Sequence, residues 1–126
     1  MIKGWFIMDK IDDLFKRLSY SKFRSKFHLS NKDRMYISDK GLDKIESHAY
    51  DFINKRLKPS VILNDGRQTP WRGHPVFVAQ HATGCCCRDC LEKWHGIKKN
   101  TELTDDQVSY IVNVLMTYIK KEYEKR

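Results

Sequence analysis

The stretch from Thr104 to the C-terminus constrains the fold most. Val108, Ile111, Val112, Leu115 and Ile119 recur at helical spacing and make one apolar stripe. Thr104 and Gln107 have the separation of a capping box, Asp105 and Asp106 sit at the positive end of the helix, and Lys120, Lys121, Lys125 and Arg126 suit its negative end. A long helix with one apolar face needs other apolar faces to cover it. Ile11, Leu14, Phe15 and Leu18 supply one. Leu42, Ile45, Ala49, Phe52 and Ile53 supply another, on a helix that must end before Pro59 and is expected to be central to the core. Between them, "SNKDRMYISDKG" offers Ser30 as an N-cap, Asp33 as its capping-box partner and Gly41 as a stop. The fold class is therefore all-α: a single compact domain of about five to six helices.

One segment breaks the pattern. "KPSVILNDGRQTPWRG", residues 58–73, carries two prolines, two glycines and an Asn-Asp-Gly turn signal, and reads as a long ordered loop with a brief extended piece at Val61 to Leu63. Loops of this length inside compact domains are often functional. Pro75 then suits the first position of a helix that continues through Phe77, Val78, Gln80 and His81 toward Gly84.

All four cysteines follow at once, in "HATGCCCRDCLEKWHGI". A chain of 126 residues should bury roughly two-thirds of its unfolded surface, so no metal is needed merely to hold it together. With 40% hydrophobic and 32% charged residues it has the composition of a globular protein. The N-terminal apolar run is broken by Asp9 and lacks a small-residue cleavage site, and no window approaches a membrane span. A cytoplasmic location is expected. There thiols stay reduced, and clustered cysteines suggest metal binding or thiol chemistry before disulfides.

As text, Cys87, Cys90 and His95 match the first three ligands of a zinc knuckle. Yet "RDCLEKWH" is made of helix formers and is followed by Gly96, and on such a helix His95 lies about 12 Å along the axis from Cys87. Cys86 or Cys87 can share a face with Cys90, whereas His95 points elsewhere. A helical hairpin pivoting at Gly84 would bring His81, which shares a face with His74, to the sulfurs. The expected ligand set is His81, Cys86, Cys87 and Cys90, with zinc as the cofactor. An iron–sulfur cluster fits less well, because neighbouring cysteines diverge. Two readings stay open beside the metal: a reactive thiol assisted by His81 and Arg88, and an inert buried cluster.

Lys and Arg number 24 against 16 Asp and Glu, a formal +8, which favours an anionic ligand or nucleic acid as partner. The densest basic stretch includes Lys22, Arg24 and Lys26, interleaved with Tyr20, Phe23 and Phe27, and is the candidate nucleic-acid surface; the alternative is a solvated face with the rings in the core. Arg67, Arg72 and Arg88 flank the loop and the cysteines and form a candidate anion pocket.

The segments "IDDLFKRL", "SKFRSKFHL", "NDGRQTPWRGHP", "RGHPVFVAQHAT", "CCCRDCLEKWHGI" and "ELTDDQ" together resemble a bacterial family of small single-domain proteins known only as domain of unknown function four-one-eight-six. The resemblance runs from about Met8 to the last helix. It implies a place in the family motif for His74, His81, Cys86, Cys87, Arg88, Cys90, Trp94 and His95, less strictly for Cys85, and it implies no reaction. Residues 1–7 are read as an N-terminal extension, with Met8 as the start of the 8–126 domain. The expected function is a metal-stabilised binding module for an anionic partner; the alternatives are a cysteine- or zinc-dependent enzyme and a structural protein with an inert thiol cluster.

Overall fold

The computed structural model describes the backbone of residues 2–125 and the side chains of residues 10–125. Among them are seven helices and no strand: α1 (Ile2–Ser19), α2 (Lys22–Ser25), α3 (Asn31–Lys40), α4 (Leu42–Arg56), α5 (Pro75–Thr83), α6 (Arg88–His95) and α7 (Asp105–Glu124). The helix beyond the expected five or six is α2, a single turn capped by Ser21, whose hydroxyl accepts from Arg24 N–H at 3.1 Å. The expected extension, residues 1–7, lies outside the described side chains, although the backbone of α1 runs back to Ile2. No described helix is long and apolar enough to cross a membrane.

The caps fall where the sequence puts them. Ser30 with Asp33 and Thr104 with Gln107 both close complete capping boxes, and Pro75 occupies the first turn of α5. No strand forms at 61–63, and Val61 and Leu63 are exposed.

α4 is central to the core, as expected, with Ile45, Ala49 and Ile53 fully buried, but the helix enclosed on every side is α5. All nine residues of α5 are buried, and it packs against α1, α2, α3, α4 and α7. The reason is in its sequence: "PVFVAQHAT" has no Lys, Arg, Asp or Glu, and a helix apolar on every side has no face to offer water. α4 instead buries one stripe, Ile45, Ala49 and Ile53, against α7 and α5.

The end of α5 sets up the functional region. Gly84 is left-handed (φ 74°, ψ 29°), and the N–H groups of Gly84 and Cys85 both close onto the Gln80 carbonyl, the second at 2.8 Å. A Cβ on Gly84 would lie 2.7 Å from two atoms of the Trp94 ring, so α6 packs directly on this turn. Gly84→Ala is expected to cost about 2–4 kcal/mol, from left-handed strain plus overpacking. Urea unfolding followed by circular dichroism measures it; a loss under about 1 kcal/mol would mean that α6 does not pack there.

Candidate metal centre

Three consecutive cysteines serve two purposes. Cys85, fully buried, turns toward α6, with its Sγ 3.3 Å from His95 Nε2. Cys86 and Cys87 face the other way. Cys87 is the N-cap of α6 in extended conformation (φ −157°, ψ 169°), and its Sγ accepts the Cys90 N–H at 3.4 Å. Because the chain is extended through Cys87 and helical from Arg88, the sulfurs of two adjacent residues converge with that of Cys90. All three lie within 4.8 Å of one another. A single tetrahedral ion with bonds of about 2.3 Å would hold its sulfurs about 3.8 Å apart, so the group needs little adjustment to take one. Cys86 and Cys87 are buried and Cys90 is partly buried.

The cation beside these sulfurs is Arg24. Its guanidinium donates to the His81 carbonyl at 2.7 Å, to Cys86 Sγ at 3.5 Å and to Cys90 Sγ at 3.0 Å, and only 8% of the residue is exposed. Hydrogen bonds from Cys86 and Cys87 hold Cys90 far below the usual thiol range, with burial opposing them and Arg24 assisting. Cys87, bonded to Cys86 and Cys90, is raised. Cys86, drawn down by Cys87 but pushed up by its bond to Cys90 and by burial, also ends raised. Thiolate character within the cluster is thus favoured at Cys90, beside Arg24, and a metal ion would require all three sulfurs as thiolates.

His81 is not in this group. Its Nε2–H is shared between the carbonyls of Thr69 (3.2 Å) and Pro70 (3.1 Å), and its ring stacks on Trp71 with centroids 4.5 Å apart and planes 3° from parallel. The expected hairpin forms, but it delivers the His81 carbonyl to the site through Arg24 and turns the ring toward the loop. His95 is directed elsewhere, as its helical spacing requires. Its Nε2–H donates to Thr83 O at 2.8 Å, and Nδ1 lies 2.9 Å from the Tyr110 hydroxyl.

Of the three arginines of the expected anion pocket, Arg88 is committed elsewhere. Arg88 is 3% exposed and donates to four carbonyls: Leu57 (3.0 Å), Pro59 (2.9 Å), Lys98 (2.8 Å) and Thr101 (2.7 Å). It clamps the end of α4 to the segment joining α6 and α7, and every N–H used there is withdrawn from any anion. Arg67 and Arg72 are exposed. Arg24 likewise leaves the candidate nucleic-acid surface, whereas Lys22 and Lys26 remain exposed. A helical signal for this was present: Lys22 and Lys26 share a face of a turn, so Arg24, midway between them, points to the other side.

Sequence reasoning missed the loop residues that hold the cysteine turn, because nothing local marks them. Asp65 caps α6 by accepting from Arg88 N–H (2.9 Å) and Asp89 N–H (3.3 Å). Thr69 Oγ1 donates to Cys86 O at 2.7 Å, and Gln80 Nε2 donates to Cys85 O at 3.1 Å. The long loop is thus a strap across the cysteines.

The family profile described as "Domain of unknown function (DUF4186)" matches residues 12–120, and the chain belongs to that family. No solved structure matches the chain.

Two buried histidines, His74 and His95, give the fold an acid limit. Burial, together with the neighbouring His48 ring, lowers His74 to about 4, and burial lowers His95 to about 4 as well. His74 Nδ1 accepts the Val76 N–H at 3.0 Å, a cap that protonation would destroy. Unfolded histidine titrates near 6.5, so the unfolded chain takes up these protons first. Their contribution is complete above about pH 6.5 and falls as the pH drops toward 4, by at most about 1.4 kcal/mol per pH unit for each histidine. Denaturant unfolding across this window should show that slope. The variant His74→Asn, which keeps an N-capping side chain, together with His95→Gln should flatten it.

Proposed function

We propose that this domain is a metal-stabilised module in which Cys86, Cys87 and Cys90 hold one thiophilic divalent ion, zinc being the first candidate. The observation that carries the reading is the convergence of three sulfurs within 4.8 Å beside a buried guanidinium. Three thiolates around a divalent ion leave one net negative charge, and Arg24 supplies the compensating positive charge together with N–H···S bonds that orient the ligands. Bound there, the metal would join the turn after α5 to the start of α6 and, through Arg24, to α2. The hydrophobic core does not depend on it: Ile11, Ile45, Ile53, Ile111 and Leu115 are buried among one another.

Zinc is expected near one per chain after purification without added metal. Cys86→Ala, Cys87→Ala and Cys90→Ala should each abolish it, whereas Cys85→Ala, His81→Ala and His95→Ala should retain it. Arg24→Met should weaken zinc affinity by about ten- to a hundredfold. Chelation should lower Tm while leaving the helical spectrum in place. A protein that carries no metal and shows no thiolate-to-cobalt charge transfer on titration with cobalt(II) refutes the reading. Alkylation of the native chain then separates what remains, since a reactive Cys90 modifies quickly and an inert cluster slowly.

A second reading rests on the donor count. Three protein donors, with Cys90 only partly buried, leave the fourth position to water or substrate, the arrangement of catalytic zinc. Cobalt-substituted protein distinguishes it: an exchangeable fourth ligand shifts the visible bands when a small thiol or imidazole is added, and a closed site does not respond.

A further inference from the structure

We propose that the cavity between the start of α3 and the end of the long loop binds a phosphorylated planar heteroaromatic group, that is, a nucleotide, either free or within single-stranded nucleic acid. The cavity measures about 440 Å³, and its lining includes Lys26, Phe27, Lys32, Tyr36, Trp71 and Arg72. That volume lies within the range of small-molecule sites.

The positive side chains come from three separate segments: Lys26 follows α2, Lys32 lies in the first turn of α3 and Arg72 ends the loop. Among the described residues none of the three has a carboxylate partner. The acid at this rim, Asp33, accepts the Ser30 N–H at 3.0 Å within the capping box. His28, also on the rim, is paired with Glu122 at 3.3 Å. Two ammonium groups and a guanidinium therefore line one cavity against a single carboxylate, Asp33, a donor set suited to a phosphate.

The second half of the ligand is indicated by Trp71. It is 58% exposed, yet it is not loose. His81 lies parallel to it at 4.5 Å, Phe27 stacks at 5.8 Å, and Phe23 meets it edge-on at 5.7 Å. His81 is itself anchored by its bonds to Thr69 and Pro70. A tryptophan braced in this way and exposed beside three cations forms a stacking platform next to a phosphate site. Phe23, 39% exposed, widens it. An anion alone makes no use of the indole, and an acidic peptide without aromatic residues brings no planar ring to it.

This inference does not require the metal, and its test is run on the full chain as purified. Adenosine monophosphate at low ionic strength should bind and quench tryptophan fluorescence, and the quench should vanish in Trp71→Leu. Lys32→Glu and Arg72→Glu, both at exposed positions, should each weaken binding by at least about tenfold with the helical spectrum unchanged. Adenosine and inorganic phosphate, each carrying half of the ligand, should bind at least about tenfold more weakly than the nucleotide. A single-stranded oligoadenylate that binds more tightly, with a steeper salt dependence, identifies nucleic acid as the source; one that binds no better per site identifies the free nucleotide. Failure of both nucleotide and oligoadenylate to bind at low salt overturns the inference. So does binding that survives the Lys32→Glu, Arg72→Glu double variant, or a polyglutamate that binds as well as the nucleotide independently of Trp71. Metal content, measured in the same samples, reports separately on the zinc reading.

Discussion

All nine residues of α5 are buried, and burying a whole helix brings the polar groups at its ends into the interior. This constraint, imposed by α5, organises the molecule. An unpaired backbone carbonyl in an apolar interior costs on the order of 1–3 kcal/mol, so each needs a donor. At the start, the His74 ring caps the Val76 N–H. At the end, the Gln80 carbonyl receives Gly84 and Cys85, the His81 carbonyl receives Arg24, and the Thr83 carbonyl receives His95. Several residues that look functional in the sequence are, in the first instance, the donors that make α5 buriable.

The two buried arginines illustrate how this redistributes charge. A guanidinium has five N–H donors and no acceptor, so it can satisfy several carbonyls at once where a lysine would satisfy them one by one. Arg88 meets four carbonyls from two separate segments. Arg24 meets one carbonyl and two sulfurs. Neither is free to bind a solvent-borne anion, and the formal +8 of the chain overstates what its surface presents for that purpose. Lys26, Lys32 and Arg72 have no carboxylate partner among the described residues and line one cavity, which is why they mark a site where a simple count of basic residues does not.

Much of the fold was legible because it is written in local rules. Apolar stripes, the Ser30 and Thr104 capping boxes, Pro75 and the glycine stops all act within a few residues of themselves, and each appears where its spacing puts it. The sulfur set was legible for the same reason, since Cys86, Cys87 and Cys90 meet across a single helix start. What the sequence concealed are contacts between residues far apart in the chain. Asp65 caps a helix that begins 23 residues later, and Arg24 reaches Cys90 across 66. For His81, spacing defines a helix face but not what lies opposite it. Here that is the Thr69 and Pro70 carbonyls, which take its Nε2–H. The full burial of α5 was readable from its lack of charge, but a short uncharged segment beside a longer amphipathic one is easily ranked second.

His81 also brings the cysteine cluster and the aromatic cavity into one mechanical unit. Its carbonyl accepts the guanidinium that contacts Cys86 and Cys90, while its ring supports Trp71 at the rim of the cavity. Thr69 works in the same way, donating to the Cys86 carbonyl and accepting from the His81 ring. A shift of the turn at Cys86 would be carried by Thr69 and Arg24 to the same histidine, and from there to Trp71. Close-packed interiors transmit such displacements rather than absorbing them. Tightening of the cysteine turn would therefore favour one fixed orientation of Trp71, and a loosened turn would let the ring move. The side chains that secure the turn are for this reason the ones that hold the platform.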